Sequence, residues 1–208
     1  MKRAIIFDFD GTIGDTIPLM LDIYHKQAET KGWPVITPTT LVMLKKQSLK
    51  QAMKWAGVRI WQVPGLLAQG RRYMAKRVDE VRLFDDAGDL ITELAKDSDI
   101  YILSNNSKST IELVMKKNGI LDMVTVLPRP TLFGKARSIN RLVKTNKYFI
   151  KDIIMVGDEV RDIEAAKKVG VKSVAVSWGL QDKGLLKKAE PDFVCVSMDQ
   201  LRSNLKTK

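Results

Sequence analysis

The chain has 208 residues, a net charge of +11, 45% hydrophobic residues, one cysteine and one histidine. That length supports a sizeable core with room for a small second unit, and no apolar run approaches the ~20 residues that span a bilayer. A lone Cys195 excludes an internal disulfide, and a lone His25 argues against histidine-based triads and histidine-rich metal sites. Met1-Lys2-Arg3 leads into an apolar run of only four residues, too short for a signal peptide, so a reducing, cytoplasmic setting is expected.

Arg3 to Phe7 is rich in β-formers and predicts a strand near 4–8. It runs into Asp8-Phe9-Asp10-Gly11-Thr12, so two carboxylates lie where a buried strand meets its loop. In an open parallel sheet that end of the strand is where ligands bind. Two carboxylates aimed into one crevice repel, and a hard cation such as Mg²⁺ relieves the repulsion. Gly11 permits a tight turn and close approach of a ligand to the backbone.

Residues 15–84 follow as a separate helical stretch. Leu19 to Thr30, Thr40 to Ala56 and Leu66 to Arg82 read as helices, divided by Gly32-Trp33-Pro34, Thr37-Pro38 and Pro64-Gly65. The stretch carries 12 Lys or Arg against 5 Asp or Glu, a net of +7. A polyanion-binding surface and plain solubility both account for such an excess, and solubility needs no further motif. Trp33, Trp55, Trp61 and Met43 are expected to form the core of this stretch.

Helices are next expected near 86–97, 107–118, 135–146, 160–169, 182–189 and 198–205. Strands are expected near 100–104, 123–127, 153–156, 173–177 and 193–196. This alternation implies a mostly parallel sheet covered on both faces. Three polar signals fall at its element ends. One strand ends at Ser104-Asn105-Asn106-Ser107, where Ser107 suits a helix cap. Lys135 opens a helix after Gly134. Another strand ends at Gly157-Asp158, with Asp162 four residues on. Taken singly these are ordinary: Lys135 is one lysine among many, and Asp162 could serve the dipole of its helix.

Taken in order they resemble a haloacid-dehalogenase superfamily hydrolase of the phosphoglycolate phosphatase-like branch. The pattern is a strand ending in D-x-D-G-T, a strand ending in Ser or Thr, a Lys, and a strand ending in G-D-x-x-x-D. Val176-Ser177-Trp178-Gly179-Leu180 and Pro191-Asp192-Phe193-Val194 extend the likeness toward the C-terminus. The resemblance implies a three-layer, Rossmann-like α/β core at 1–14 and 85–208, with residues 15–84 as an inserted helical cap. Some 93 residues separate Asp10 from Ser104, where a minimal βα unit needs about 30.

It also implies roles. Asp8 would be the nucleophile of a Mg²⁺-dependent phosphatase, passing through an aspartyl-phosphate. Asp10 would be the general acid and base. Asp8, the Asp10 carbonyl and Asp158 would hold Mg²⁺, with Asp162 in support. Gly11, Thr12, Ser104, Asn105 and Lys135 would bind the phosphoryl group of a small phosphorylated metabolite. Lys45, Lys46, Lys50, Lys54, Arg71 and Arg72 are the candidate specificity groups of such a cap, each taken singly being an ordinary solvated helix charge. Two departures, Asn106 where a Lys is frequent and Ala136 where a Pro is usual, leave the substrate open among phosphoglycolate, a sugar phosphate, a nucleotide and pyrophosphate. Oligomeric state is equally open, and neither a membrane nor nucleic acid is expected as partner.

Asp10 argues against a true dehalogenase. A phosphomutase of the β-phosphoglucomutase type would place a histidine at the position of Met20, and His25 is five residues off. A non-enzymatic binding module with a basic cap is the remaining alternative, disfavoured by the complete acidic and lysine set.

Overall fold

The computed structural model describes residues 3–128, 130–131 and 134–206. Six strands form one parallel sheet: β1 (Arg3–Phe7), β4 (Ser98–Ile102), β5 (Val124–Val126), β6 (Ile153–Gly157), β7 (Lys172–Val176) and β8 (Phe193–Cys195). Their order is β5-β4-β1-β6-β7-β8. The chain leaves β1 for β4 and β5 on one side, then returns to lay β6 on the other. Strand order therefore reverses at β1, and a crevice opens at the carboxyl ends of β4, β1 and β6.

The central strand is buried on both faces. Ile5 and Phe7 enter one apolar layer with α5 (Ala87–Leu94), α6 (Lys108–Lys117) and α10 (Met198–Lys206). Ala4 and Ile6 enter the opposite layer with α7 (Lys135–Asn146) and α8 (Val160–Val169). Both alternating sets being apolar is why β1 reads as a continuous hydrophobic run. β4 starts at Ser98, earlier than the apolar run suggests, because Arg3 pairs with Ser98 in register and its Nε donates to Ser98 Oγ at 2.9 Å. Cys195 is buried, as expected, and burial pushes its thiol pKa up.

Between β1 and β4 a two-strand hairpin, β2 (Gly14–Asp15) with β3 (Arg82–Leu83), carries a helical insertion. This hairpin was not foreseen: two residues per strand are too few to show alternation. The insertion holds α1 (Ile17–Lys31), α2 (Pro38–Lys45), α3 (Leu49–Trp55) and α4 (Val63–Lys76). The expected single helix from Thr40 to Ala56 is thus two helices. Ser48 breaks it, accepting from Gln51 N while the Gln51 side chain accepts from Ser48 N. The expected helix ending at Arg82 ends at Lys76, because Arg82 is needed in β3.

The expected insertion core is also different. Met43 and Trp61 are exposed, α2 and α3 bury no residue completely, and Trp33 and Trp55 line a cavity. The insertion is held over the sheet edge by Asp182 N donating to Lys45 O at 2.9 Å and by Met74 of α4, whose sulfur lies 3.3 Å from Asn106 Nδ2.

Candidate active site

The loop after β1 is folded tightly. Phe9 O accepts from Thr12, Ile13 and Gly14 amides, and Gly11 sits at φ +78°, the left-handed region. Asp8 is held by its own amide donating to Val156 O at 2.8 Å, which locks it between β1 and β6. Phe9 N donates to Asp8 Oδ1 at 2.8 Å, leaving Oδ2 to face Lys135 Nζ at 2.6 Å. Lys135, at the first turn of α7, also donates to Asp162 Oδ1 at 2.5 Å. Asp162 Oδ2 accepts from Glu159 N at 3.2 Å, so the triad is tied to the start of α8. All three side chains are at least 94% buried.

Burial pushes the Asp8 pKa up to about 7, with Lys135 opposing and Asp162 and Asp10 adding to the rise. Burial alone would lower the Lys135 ammonium. Asp162 and Asp8 more than offset that and hold it above the ordinary lysine range.

Asp10 faces a different set. Its Oδ2 accepts from Ser104 Oγ at 3.0 Å and its Oδ1 from Asn106 Nδ2 at 3.1 Å. Ser104 Oγ in turn accepts from Asn106 N at 3.0 Å. Burial raises the Asp10 pKa, and hydrogen bonds from Ser104, Thr16 and Asn106 oppose it. Asn105 stands beside them on the cavity wall. Ser107 caps α6, accepting from Thr110 N at 3.2 Å.

Asp158 is fully buried between two glycines. A Cβ on Gly11 would lie 2.3 Å from Asp158 Oδ2, and one on Gly179 would lie 2.2 Å from it. Its Oδ1 accepts from Thr12 Oγ1 at 3.0 Å and its Oδ2 from Leu180 N at 2.7 Å. Trp178 Nε1 donates to Thr12 O at 3.1 Å, clasping the loop after β7 onto the first loop. Burial drives the Asp158 pKa well above the ordinary range, followed by the charges of Glu159, Asp8 and Asp162.

Asp8, Asp10, Ser104, Asn105, Lys135, Asp158 and Asp162 are therefore gathered at one sheet edge from four chain segments. Gly11 and Thr12 stand slightly apart, shaping the Asp158 pocket. Of the cap's candidate specificity groups only Arg71 lines the cavity. Lys46, Lys50, Lys54 and Arg72 are exposed, and Lys45 reaches the sheet edge through its carbonyl alone. Sequence reasoning missed Glu159 and Arg161. They pair with each other beside the cavity, and Asp8, Glu159 and Asp162 offer carboxylate oxygens within 4.8 Å of one another. The signal was present as a third carboxylate directly after Asp158.

The donor set fits a hard divalent cation. Among the described residues, five carboxylates (Asp8, Asp10, Asp158, Glu159, Asp162) gather with three cations (Lys135, Arg161, Arg71) around this crevice. Excess negative charge there is costly unless a cation shares it. Asp158 uses two of its roughly four lone-pair directions on Thr12 and Leu180, which leaves others for a metal.

The parallel α/β core thus brings aspartates at the ends of β1 and β6 together with a lysine from the start of α7. Residues 5–176 match the haloacid dehalogenase-like hydrolase family, and the chain belongs to that family. A phosphoglycolate phosphatase from Synechococcus elongatus is 34% identical over 194 residues, 92% of each chain. A pyrophosphatase from Bacillus velezensis is 24% identical, covering 95% of this chain and 94% of its own. The fold matches a haloacid dehalogenase-like family hydrolase from Streptococcus pneumoniae with a TM-score of 0.80 at 22% identity, over 99% of both chains. No described helix is long and apolar enough to cross a membrane.

Proposed function

We propose that the protein is a Mg²⁺-dependent phosphomonoester hydrolase acting through an aspartyl-phosphate on Asp8. The observation that carries this is the pairing of two differently placed aspartates. Asp8 is ion-paired to Lys135 at 2.6 Å, and Asp10 is hydrogen-bonded to Ser104 and Asn106, both opening on one cavity. Burial raises the pKa of both carboxyl groups, opposed at Asp8 by the Lys135 ammonium and at Asp10 chiefly by neutral hydrogen-bond donors, so the two sit in different environments.

An Asp8 oxygen attacks phosphorus as the bond to the leaving oxygen breaks, and Asp10 gives that oxygen its proton. Water then attacks the aspartyl-phosphate, Asp10 takes the water's proton, and phosphate leaves with Asp8 restored. Lys135, Ser104 and the Asn105 amide receive the phosphoryl oxygens, Lys135 as a point charge. Mg²⁺ would be held by Asp8, the Asp10 carbonyl and Asp158, with Glu159 and Asp162 as neighbouring carboxylates, and would neutralise charge on the phosphoryl group. Residues 15–84 act as a cap that excludes water. Met20, at the position where a mutase-like reading needs a histidine, lines the cavity. His25 instead spends its ring nitrogen on Ile36 O at 3.1 Å. Both favour transfer to water.

The test is turnover of p-nitrophenyl phosphate with and without Mg²⁺. Asp8→Asn and Asp8→Ala should abolish it with an unchanged circular dichroism spectrum. Near wild-type rates in either variant would remove Asp8 from the mechanism.

A further inference from the structure

The cavity over Asp8 and Asp10 has a volume of about 410 Å³. Its floor is polar and belongs to the sheet edge, but its walls come from the insertion and are almost wholly apolar. Trp33, Leu44, Met53, Trp55, Leu66 and Leu67 all face it. Among the described lining residues the insertion contributes one charged side chain, Arg71, and two other large polar ones, Tyr24 and Gln27. The Trp33 ring is fixed in place by stacking on Tyr24, with centroids 5.9 Å apart and planes 21° apart.

The lysines that give the insertion its basic character are elsewhere, on its outer surface. The apolar faces of α2 and α3 are not closed against a core of their own, since neither helix buries a residue completely. Their apolar surface is turned into the space the leaving group must occupy. A carboxylate placed there would lose its hydration with little in return, whereas an apolar group would displace water from apolar walls. An apolar cavity of about 150 Å³ takes benzene. This one therefore has room for a group the size of two fused rings or a medium alkyl chain.

We infer that the phosphate ester this enzyme takes carries a predominantly apolar leaving group, aromatic or aliphatic. The inference rests on the phosphomonoester reading and names the substrate class within it.

Binding and turnover are tested separately. Asp8→Asn protein with Mg²⁺ is titrated calorimetrically with ethyl, butyl, hexyl and octyl phosphate and with phosphoglycolate. The expected result is an affinity gain of about fourfold per buried CH₂ until the cavity is full, with butyl phosphate tighter than phosphoglycolate. Affinity that is flat or falling with chain length, or phosphoglycolate as the tightest ligand, overturns the inference. Ala52→Trp should move the end of the rise to shorter chains. Should that variant fail to fold, Leu66→Asn should weaken hexyl phosphate about tenfold. Unchanged chain-length dependence in a folded variant overturns the assignment of these walls. The wild-type protein is assayed for phosphate release on the same esters. Length-dependent binding without release supports the pocket and refutes the hydrolase. Release without length dependence refutes the pocket and leaves the hydrolase standing.

Discussion

Replacing Lys135 by methionine removes the ammonium that bridges Asp8 and Asp162 while nearly preserving its volume. In the native site Nζ lies 2.6 Å from Asp8 Oδ2 and 2.5 Å from Asp162 Oδ1, with all three side chains buried. Breaking a buried ion pair from one side costs about 3–5 kcal/mol, because the stranded charge has no water to return to. For a chain of this length that corresponds to a fall of about 6–20 °C in Tm. The loss must depend on pH, and the direction follows from Asp8. Its pKa is raised, so the metal-free fold is favoured while it is protonated and loses stability as pH rises through about 7. Lys135 is one of the influences holding that pKa down. Without it Asp8 ionises at still higher pH, and the penalty for ionising grows. Urea unfolding in EDTA should therefore show the full loss at pH 8.5 and at least about 1 kcal/mol less at pH 5.5. Adding Asp162→Asn to the variant should restore part of the stability at pH 8.5, since one stranded charge is gone. A loss below about 1 kcal/mol at pH 8.5, or an equal loss at both pH values, would refute the argument that Lys135 compensates buried carboxylates.

Three further outcomes are expected. Asp10→Asn should still become phosphorylated at Asp8 by an activated aryl phosphate and then release phosphate slowly, because water attack needs a base; wild-type steady-state rates on alkyl phosphates would contradict this. Gly179→Ala should cut turnover by tenfold or more, because its Cβ would lie 2.2 Å from Asp158 Oδ2 and 2.4 Å from Gly11 O, and rising Mg²⁺ should recover part of the loss; unchanged kinetics would show that Asp158 has freedom to move. Thermal stabilisation by Mg²⁺ should be larger at pH 8 than at pH 5.5, because protons compete for Asp8, whose pKa is pushed up to about 7; an equal shift at both values would place the cation away from Asp8.

The sheet was legible because its central strands β1 and β6 bury both faces and so print uninterrupted apolar runs, and because three of the candidate site residues closely follow a strand. Asp8, Ser104 and Asp158 stand one or two residues past β1, β4 and β6, and three adjacent parallel strands bring their ends together whatever the loops do. Lys135 was legible by its place at a helix start. The pairing that gives it meaning, with Asp8 and Asp162 from two other segments, is a tertiary fact. Glu159 was passed over because a glutamate at the start of a helix is ordinary. Only its burial against Arg161, and its carboxylate lying within 4.8 Å of those of Asp8 and Asp162, set it apart.

The helical insertion was misread for a physical reason that bears on specificity. Apolar residues at helical spacing state that a face must be covered, and they do not state by what. Trp33 and Trp55 carry the same signal whether they pack on a neighbouring helix or border a cavity, so they looked like core. Lysines carry the converse ambiguity: an exposed ammonium at Lys50 or Lys54 has the same sequence signature as one aimed at a substrate. What separates the cases is closure over the sheet edge, set by Lys45 O on Asp182 N and by Met74 against Asn106. Closure places the apolar faces inside and the charges outside. Asp8, Ser104 and Asp158, to which the proposed chemistry is assigned, are thus fixed by strand ends, which local sequence encodes. The walls to which the proposed leaving-group selectivity is assigned are fixed by how the insertion meets the sheet edge, which local sequence does not encode.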